Sequence, residues 1–526
     1  MENPILTSLP VELIINIISL LDWRTILVCR EVCRLFHSIV EEDRAQYEIE
    51  LAVSGMVDGP PSTFSTSDRL ALLKERKAAW ESLRWVESQD FSMMQGHIWE
   101  LYGNVFAQSS TPDVLHFRQL PSKYRKIEEK EWSVTLDMHV RDFTMDPAQD
   151  LLVLIEEPTL LPNTNTTTCS IRIHLRSLTT GDRHRLAPQP AILIHELDAR
   201  NVRATYTLRV CDNLLGIFFD YEREDADPEL TVWDWTTGKV IFTWCFDSEI
   251  VTFAFLNSRF LLVGSAFGSG DIDIQAQLYV FDMTKPSSKK FGRRTDYFCV
   301  FLWPEFDFWA NPVDLSIRSD PSPTWQPNSK AQLPFSTAPG NRLFIITVSL
   351  MTNHRIIPYD TFVPADTLLS HIEALSTEVR CREIEWDEWG PTGTRLMRSS
   401  SLHDSVWVCY VFGTKFVSLT EPTLTSPQTL EIRDFNQLAI KRDAKVQDGI
   451  SHHVHDTTVV RKVFANEIHT SLPYRVIKRT LPPHSSLEPI FTAAMCSEDN
   501  LILVDVSMPH AYRTERFSNV ARRFAV

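Results

Sequence analysis

Residues 9–40 read LPVELIINIISLLDWRTILVCREVCRLFHSIV, and apolar positions recur there every three or four residues. Leu13, Ile14, Ile17, Ile18 and Leu21 fall on one helical face, and Ile15 and Leu20 widen it. Only Glu12, Asn16 and Ser19 form a polar stripe. Pro10 suits a first helical turn, where its missing N–H costs nothing, and Glu12 suits the positive end of the helix dipole. Asp22 predicts the N-cap of a second short helix, from Arg24 to about Arg30. A third helix follows, with Cys29, Cys33 and Phe36 at helical spacing and Val32, Leu35 and Ile39 beside them. Arg24, Arg30, Arg34 and His37 are expected in solvent or at a rim. A helix this apolar has to be covered on more than one side, and so short a module cannot do that alone. The pattern therefore implies a partner surface, or else a helical hairpin packed on the rest of the chain.

Residues 43–54 continue as a helix that Gly55 stops, and Asp58-Gly59-Pro60-Pro61 reads as a turn. Ser65 and Asp68 form a capping-box pattern ahead of Leu70, Leu73, Trp80 and Leu83 at helical spacing, with Lys74, Glu75, Arg76 and Lys77 on the solvated face. Two roles fit this helix, a stiff spacer or a helix packed on the next domain.

From about residue 96 the period shortens. Apolar runs rich in β-branched and aromatic residues follow polar turns: Leu151–Ile155, Leu214–Phe219, Phe260–Val263, Leu343–Val348, Val406–Phe412 and Leu501–Val504. A second recurring unit, an alternating strand and then a turn, reads IHLRSLTTG at 173–181, LTVWDWTTG at 230–238, LYVFD at 278–282 and LEIRDF at 430–435. Trp233-Asp234 resembles the Trp-Asp dipeptide of WD repeats. The expected fold is multidomain, a small all-α module plus a large all-β domain read as a six- to eight-bladed β-propeller with degenerate WD-like repeats. A two-sheet β-sandwich is the alternative. The boundaries read as 4–45 for the helical module, 46–95 for a helical linker, 96–510 for the β-domain and 511–526 for a tail.

The pattern Leu9-Pro10-x-Glu12-Leu13, then Leu21-Asp22, Leu27, Cys29, Val32-Cys33 and Phe36, resembles an F-box, with Phe36 where that family commonly has tryptophan. The resemblance implies a three-helix module that packs on a Skp-type adaptor and, through it, on a cullin scaffold. Leu9, Pro10, Leu13, Ile14, Ile17, Ile18, Leu21, Leu27, Cys29, Val32, Cys33 and Phe36 are the adaptor-facing candidates it supplies. The longer chain also resembles fungal F-box proteins with a WD-like C-terminal region, on GMVDGPPS at 55–62, LPSKYRKIEEKEW at 120–132, VRDFTMDPAQDLLVLIEE at 140–157, IRIHLRSLTTG at 171–181 and WDEWGPTGTR at 386–395. Those segments imply membership of a group and no specific target.

Composition narrows the options further. In 526 residues there are 30 prolines and 16 glycines, a ratio that favours many loops between short strands. A net charge of −16 without a long basic run disfavours nucleic acid and anionic membranes as partners. Nine cysteines stand singly with no CxxC pair, as expected of reduced thiols in the cytoplasm or nucleus. The stretch Leu13–Leu21 is too short to span a membrane.

Candidate chemistry is sparse. His453 and His455 share a strand face beside His452 and Asp456, two of the ligands a zinc site wants, but no cysteine or further histidine lies near them in sequence. Asp271 with Asp273, and Glu385 with Asp387 and Glu388, are carboxylate groupings of the kind glycoside hydrolysis uses when they are held face to face. No Walker loop, dinucleotide GxGxxG or GxSxG elbow is present, so no catalytic residue and no cofactor is assigned. Trp233, Trp235 and Trp244 are expected between blades. Trp303, Trp309 and Trp325, in the Pro- and Asp-rich stretch 303–336, are candidate target-binding anchors, with burial against the propeller rim as the competing expectation. The function these readings combine to is the substrate-recognition subunit of a cullin-type ubiquitin ligase. The rivals are an adaptor-binding scaffold outside ubiquitination and a propeller hydrolase.

Overall fold

A computed structural model describes residues 9–85, 87–94, 96, 98–157, 169–197, 204–221, 227–246, 249–267, 275–285, 296–324, 326, 332–375, 381–399, 409–420, 427–443, 451–481, 491–505 and 520–525. Seven sheets of four or five strands, antiparallel except where Arg382–Ile384 adds parallel to the edge of the fourth, form a seven-bladed propeller. Their innermost strands are Trp99–Tyr102, Val140–Asp146, Ala204–Cys211, Glu249–Phe255, Asn311–Arg318, Val411–Phe412 and Ala493–Cys496, in blades 1 to 7.

The apolar runs seen in the sequence are mostly the second strands of blades. Leu151–Glu156, Leu214–Tyr221, Phe260–Phe267, Leu343–Thr352 and Asn500–Asp505 occupy that place in blades 2, 3, 4, 5 and 7. A second strand is covered by the neighbouring blade on each face, so both sets of alternating side chains are buried and the run reads as continuously apolar. Leu151 to Ile155 are all 0% exposed. The run 406–412 differs: its described part belongs to the innermost strand of blade 6, Val411–Phe412. The strand–turn units are third strands, where Asp234 accepts from Thr236 and Thr237 and so closes the turn after Glu229–Asp234. Trp233 and Trp235 pack in one cluster with Leu151, Val153 and Leu175 of blade 2, and Trp244 packs with Phe253 and Phe281 of blade 4. Large rings fill the wedge between blades, as expected for these three.

Two boundaries drawn from the sequence fall in the wrong place. The last blade runs Ala493–Cys496, Asn500–Asp505, Val520–Ala525 and then Glu87–Ser92, so its outer strand comes from the expected linker and its third strand from the expected tail. Glu87 pairs with Ala525 and Ser92 with Val520, which closes the ring with both ends of the propeller sequence. The outer strand, ESQDFS, buries only Phe91, so it carries no apolar signal.

Eight helices and two two-stranded sheets complete the described structure. Helices α1 (Val11–Ile18), α2 (Trp23–Arg30), α3 (Arg34–Val40) and α4 (Asp43–Ser54) gather at the N-terminus, and α5 (Thr66–Ser82) follows. Helices α6 (Ala365–Ala374), α7 (Trp386–Gly393) and α8 (Gln437–Arg442) are insertions in the blades. Gly55 ends α4 at φ 66°, where a side chain would also meet Asn341. Of the two roles expected for α5, packing is the one observed. Its Leu70, Leu73, Ala79 and Trp80 share a core with Phe412, Leu430, Ile477 and Leu501 of blades 6 and 7.

The expected solvated face of α5 is partly buried too. Arg76 Nε donates to Asp499 Oδ1 at 2.6 Å and its Nη2 to the carbonyl of Glu498 at 2.5 Å. Arg125, 1% exposed, pairs with the other oxygen of Asp499 and lies 2.7 Å from Glu498. Glu498 also accepts from the backbone and hydroxyl of Thr337, at 3.0 and 2.8 Å. Burial alone would raise the Asp499 carboxyl, but Arg125 and Arg76 outweigh it and hold the group well below the usual carboxylate range. This cluster ties α5 to the turn between the first two strands of blade 7 and to strand Phe335–Thr337.

Candidate functional site

The first three helices divide their apolar side chains between an internal core and solvent. Asp22 caps α2 by accepting from Arg24 and Thr25 at 3.0 and 3.3 Å, as its position predicts. Ile14, Ile18, Ile26, Phe36, Ile39 and Val40 meet Ala45, Ile49 and Val53 of α4 and Ala439 of α8. Leu21, Leu27, Cys29 and Cys33 pack at the edge of that cluster. The module is held to the propeller from below: Asn436 Nδ2 donates to the carbonyl of Val53 at 2.8 Å, and Arg442 pairs with Glu50 at 2.6 Å.

The remaining apolar residues are uncovered. Leu13 is 49% exposed, Ile17 39%, Leu9 37% and Val32 63%, and Pro10 is exposed as well. Three neighbours that the sequence reading left out of its candidates join them, Val11 at 41%, Leu20 at 84% and Val28 at 65%. The candidate set therefore splits. Leu9, Pro10, Leu13, Ile17 and Val32 are available to a partner, whereas Ile14, Ile18 and Phe36 are core and are not. The signal for Leu20 and Val28 was present in the helical period, but a wheel does not tell an inner apolar stripe from an outer one. Apolar side chains make up the exposed middle of this face. Its chemistry is apolar contact edged by Arg24, Arg34 and His37, all exposed.

Residues 6–47 match the F-box-like family model. F-box-like domains are non-catalytic protein-interaction modules that generally bind Skp-type adaptors. The chain thus carries an F-box-like module followed by a seven-bladed propeller. No curated protein matches the chain. Among solved structures, polysaccharide lyase Uly1 is 8% identical with a TM-score of 0.37, over 89% of this chain and 97% of that one. Drosophila Semaphorin 2a is 7% identical with a TM-score of 0.38, over 83% and 75%. Likenesses this distant carry no functional argument.

The tryptophans offered as target anchors fare differently from one another. Trp303 is 1% exposed, its ring 5.6 and 5.4 Å from those of Trp386 and Trp389, so it is core and not an anchor. Trp309 packs half-buried against the same cluster, beside Phe306 at 6% exposure. Trp325 lies outside the described residues. Phe308, by contrast, is 87% exposed. The stretch 303–336 is also not a plain loop, because the innermost strand of blade 5, Asn311–Arg318, runs through it. Alternation there is blurred by a bulge between Pro312 and Asp314.

The other groupings resolve into structure. Glu385 and Glu388 form the capping box of α7. His453 stands on a short strand of blade 6, its ring 6.1 Å from that of His455, and burial lowers its basicity. Among the described residues no group of three or more His, Cys, Asp or Glu is placed to hold a metal. Asp271 and Asp273 lie outside the described residues. Among the described residues no helix is long and apolar enough to cross a membrane.

Proposed function

We propose that this protein is the substrate-recognition subunit of a Skp–cullin–F-box ubiquitin ligase. The observation that carries the reading is the uncovered apolar face of the F-box-like module, Leu9, Leu13, Ile17, Leu20, Val28 and Val32, on helices whose opposite faces are already packed. A surface of that size and composition is one that a partner buries. The module is also seated firmly on the propeller, through α4, α8 and the Arg76 cluster. A firm seat suits a mechanism based on proximity: a target held by the propeller stays at a fixed place relative to the cullin and the charged conjugating enzyme. The gain is effective concentration of target lysines, with no chemistry supplied by this chain.

The test is co-purification of the full chain with a Skp-type adaptor and a cullin. Leu13→Glu combined with Val28→Glu is expected to abolish adaptor capture while leaving the melting temperature nearly unchanged. Undiminished capture by that double variant overturns the docking face. Capture of adaptor with no cullin recruited supports the scaffold reading instead.

A further inference from the structure

The central channel of the propeller holds a charged cavity that the docking function does not use. It has a volume of about 300 Å³ and is open to solvent. Its walls come from the innermost strands of blades 1, 2, 3 and 5, and among them are Glu100, Asp142, Arg209, Arg318 and Asp320. One end of the channel is plugged. The segment 319–324 crosses it where the inner strands finish, with Ser322 N donating to the Tyr102 hydroxyl at 3.1 Å and Ser322 Oγ to the carbonyl of Val210 at 2.9 Å. In the same segment Asp320 O accepts from Gly413 N at 2.7 Å. Asn341 and Glu498, which meet the N-terminal helices, lie at turns on this same end, so the cavity opens away from the F-box-like module. A blind cavity of this size admits a small molecule or the end of a chain, and a continuous chain cannot thread it.

The charges decide what kind of ligand fits. Among the described residues neither Arg209 nor Arg318 has a carboxylate within ion-pair distance. Arg209 Nη1 donates to the carbonyl of Leu208 at 2.9 Å, and Arg318 lies in electrostatic reach of Tyr410. Asp320 is attracted by Arg209, Arg318 and Arg342, the last seated beneath the cavity with Nη2 3.1 Å from Ser319 Oγ. Burial pushes the Glu100 carboxyl up to about 8, so it is protonated at neutral pH. Its Oε1 accepts from Thr144 at 3.1 Å, while Oε2 is buried without a hydrogen-bond partner. Two guanidiniums, Arg209 and Arg318, thus line the cavity with the carboxylates of Asp142 and Asp320, while Asp314 lies in electrostatic reach of Arg318 and Arg342 sits beneath. Forked guanidiniums with no carboxylate at ion-pair distance suit the two coplanar oxygens of a carboxylate ligand.

We propose that this cavity binds a carboxylate, gripped by Arg209 and Arg318. The same chemistry is offered by a free small organic acid and by the C-terminal carboxylate of a target chain.

Calorimetric titration of the full chain, without adaptor, keeps this test apart from the docking proposal. The probes are propionate, N-acetyl-tetra-alanine with a free C-terminus, the same peptide as its C-terminal amide, and inorganic phosphate. The free-acid peptide or propionate is expected to bind saturably, with the amide at least tenfold weaker. A peptide at least tenfold tighter than propionate assigns the site to chain ends, and near-equal affinities assign it to free acids. Arg209→Gln and Arg318→Gln are each expected to weaken the tighter probe tenfold or more. Equal binding of acid and amide, tighter binding of phosphate, or no binding by any probe overturns the proposal. The acid–amide comparison is made on the unaltered protein, so it stands even if a variant fails to fold.

Discussion

Helices α1 and α5 are both apolar-faced and lie within about seventy residues of each other, yet they end in opposite situations. In α1 only Ile14 and Ile18 are buried, and Val11, Leu13 and Ile17 remain more than a third exposed. In α5 Leu70, Leu73 and Trp80 are buried, and so are the two charged residues Arg69 and Arg76. The difference lies in the ground beneath each helix. Blades 6 and 7 present α5 with an apolar floor, the turn at Glu498 and Asp499 of blade 7 accepts from Arg76, and Asp58, Pro60 and Pro334, outside those blades, accept from Arg69. Helix α1 shares its core with α2, α3 and α4, and among the described residues its Val11, Leu13 and Ile17 stay exposed. Apolarity of sequence therefore reports a need for cover, and only the surrounding surface says whether the chain or a partner supplies it.

The sharpest way to break this comparison is to unseat α5. Arg76→Ala leaves Asp499 with one guanidinium fewer in a buried site, and removal of one partner of such a pair costs about 3–5 kcal/mol. A urea-unfolding midpoint that does not move would mean that α5 is not anchored there. The same cluster fixes a pH dependence. Asp499 is held below its ordinary value, so its contribution is present above the usual carboxylate range and is lost as pH falls through the lowered folded value. Melting curves should accordingly show part of the acid destabilisation missing from Arg76→Ala.

Within the F-box-like module, Ile14→Ala should cost about 2–5 kcal/mol, because Ile14 is 0% exposed in the cluster shared with α4. Adaptor capture is then lost only in proportion to unfolded module. A smaller effect is expected at the start of α5, where Ser65 and Asp68 cap each other reciprocally. Ser65→Ala should lower stability by about 1 kcal/mol in the same urea titration, with adaptor capture unchanged. The smallest stability effects belong to the uncovered residues. Leu13→Ala and Phe308→Ala should each stay within about 0.5 kcal/mol of the parent. They sharpen the contrast through binding: Leu13→Ala should weaken adaptor capture, and Phe308→Ala should leave it intact. A large fall in melting temperature for either would mean that the residue is covered after all.

What the amino-acid sequence determined by itself is local and periodic. The cap at Asp22, the capping box at Ser65, the stop at Gly55, the doubly covered second strands and the ring packing of Trp233, Trp235 and Trp244 all follow from neighbours within a few positions or from one repeated environment. The F-box spacing belongs here too, since a three-helix module of about forty residues is a local object. Tertiary structure alone decided the rest. The closing strand Glu87–Ser92 is polar and finds its place only by pairing with Val520–Ala525, far away in the chain. Ile14 and Leu13 are adjacent and equally apolar, and the position of α4 makes one core and the other surface. Trp303 and Phe308 stand in one aromatic stretch, and α7 buries the first while nothing described covers the second. The channel cavity has no sequence signal at all: Glu100, Arg209, Arg318 and Asp320 come from three blades and the segment beneath them, and they meet only because a closed ring turns the innermost strands toward one axis.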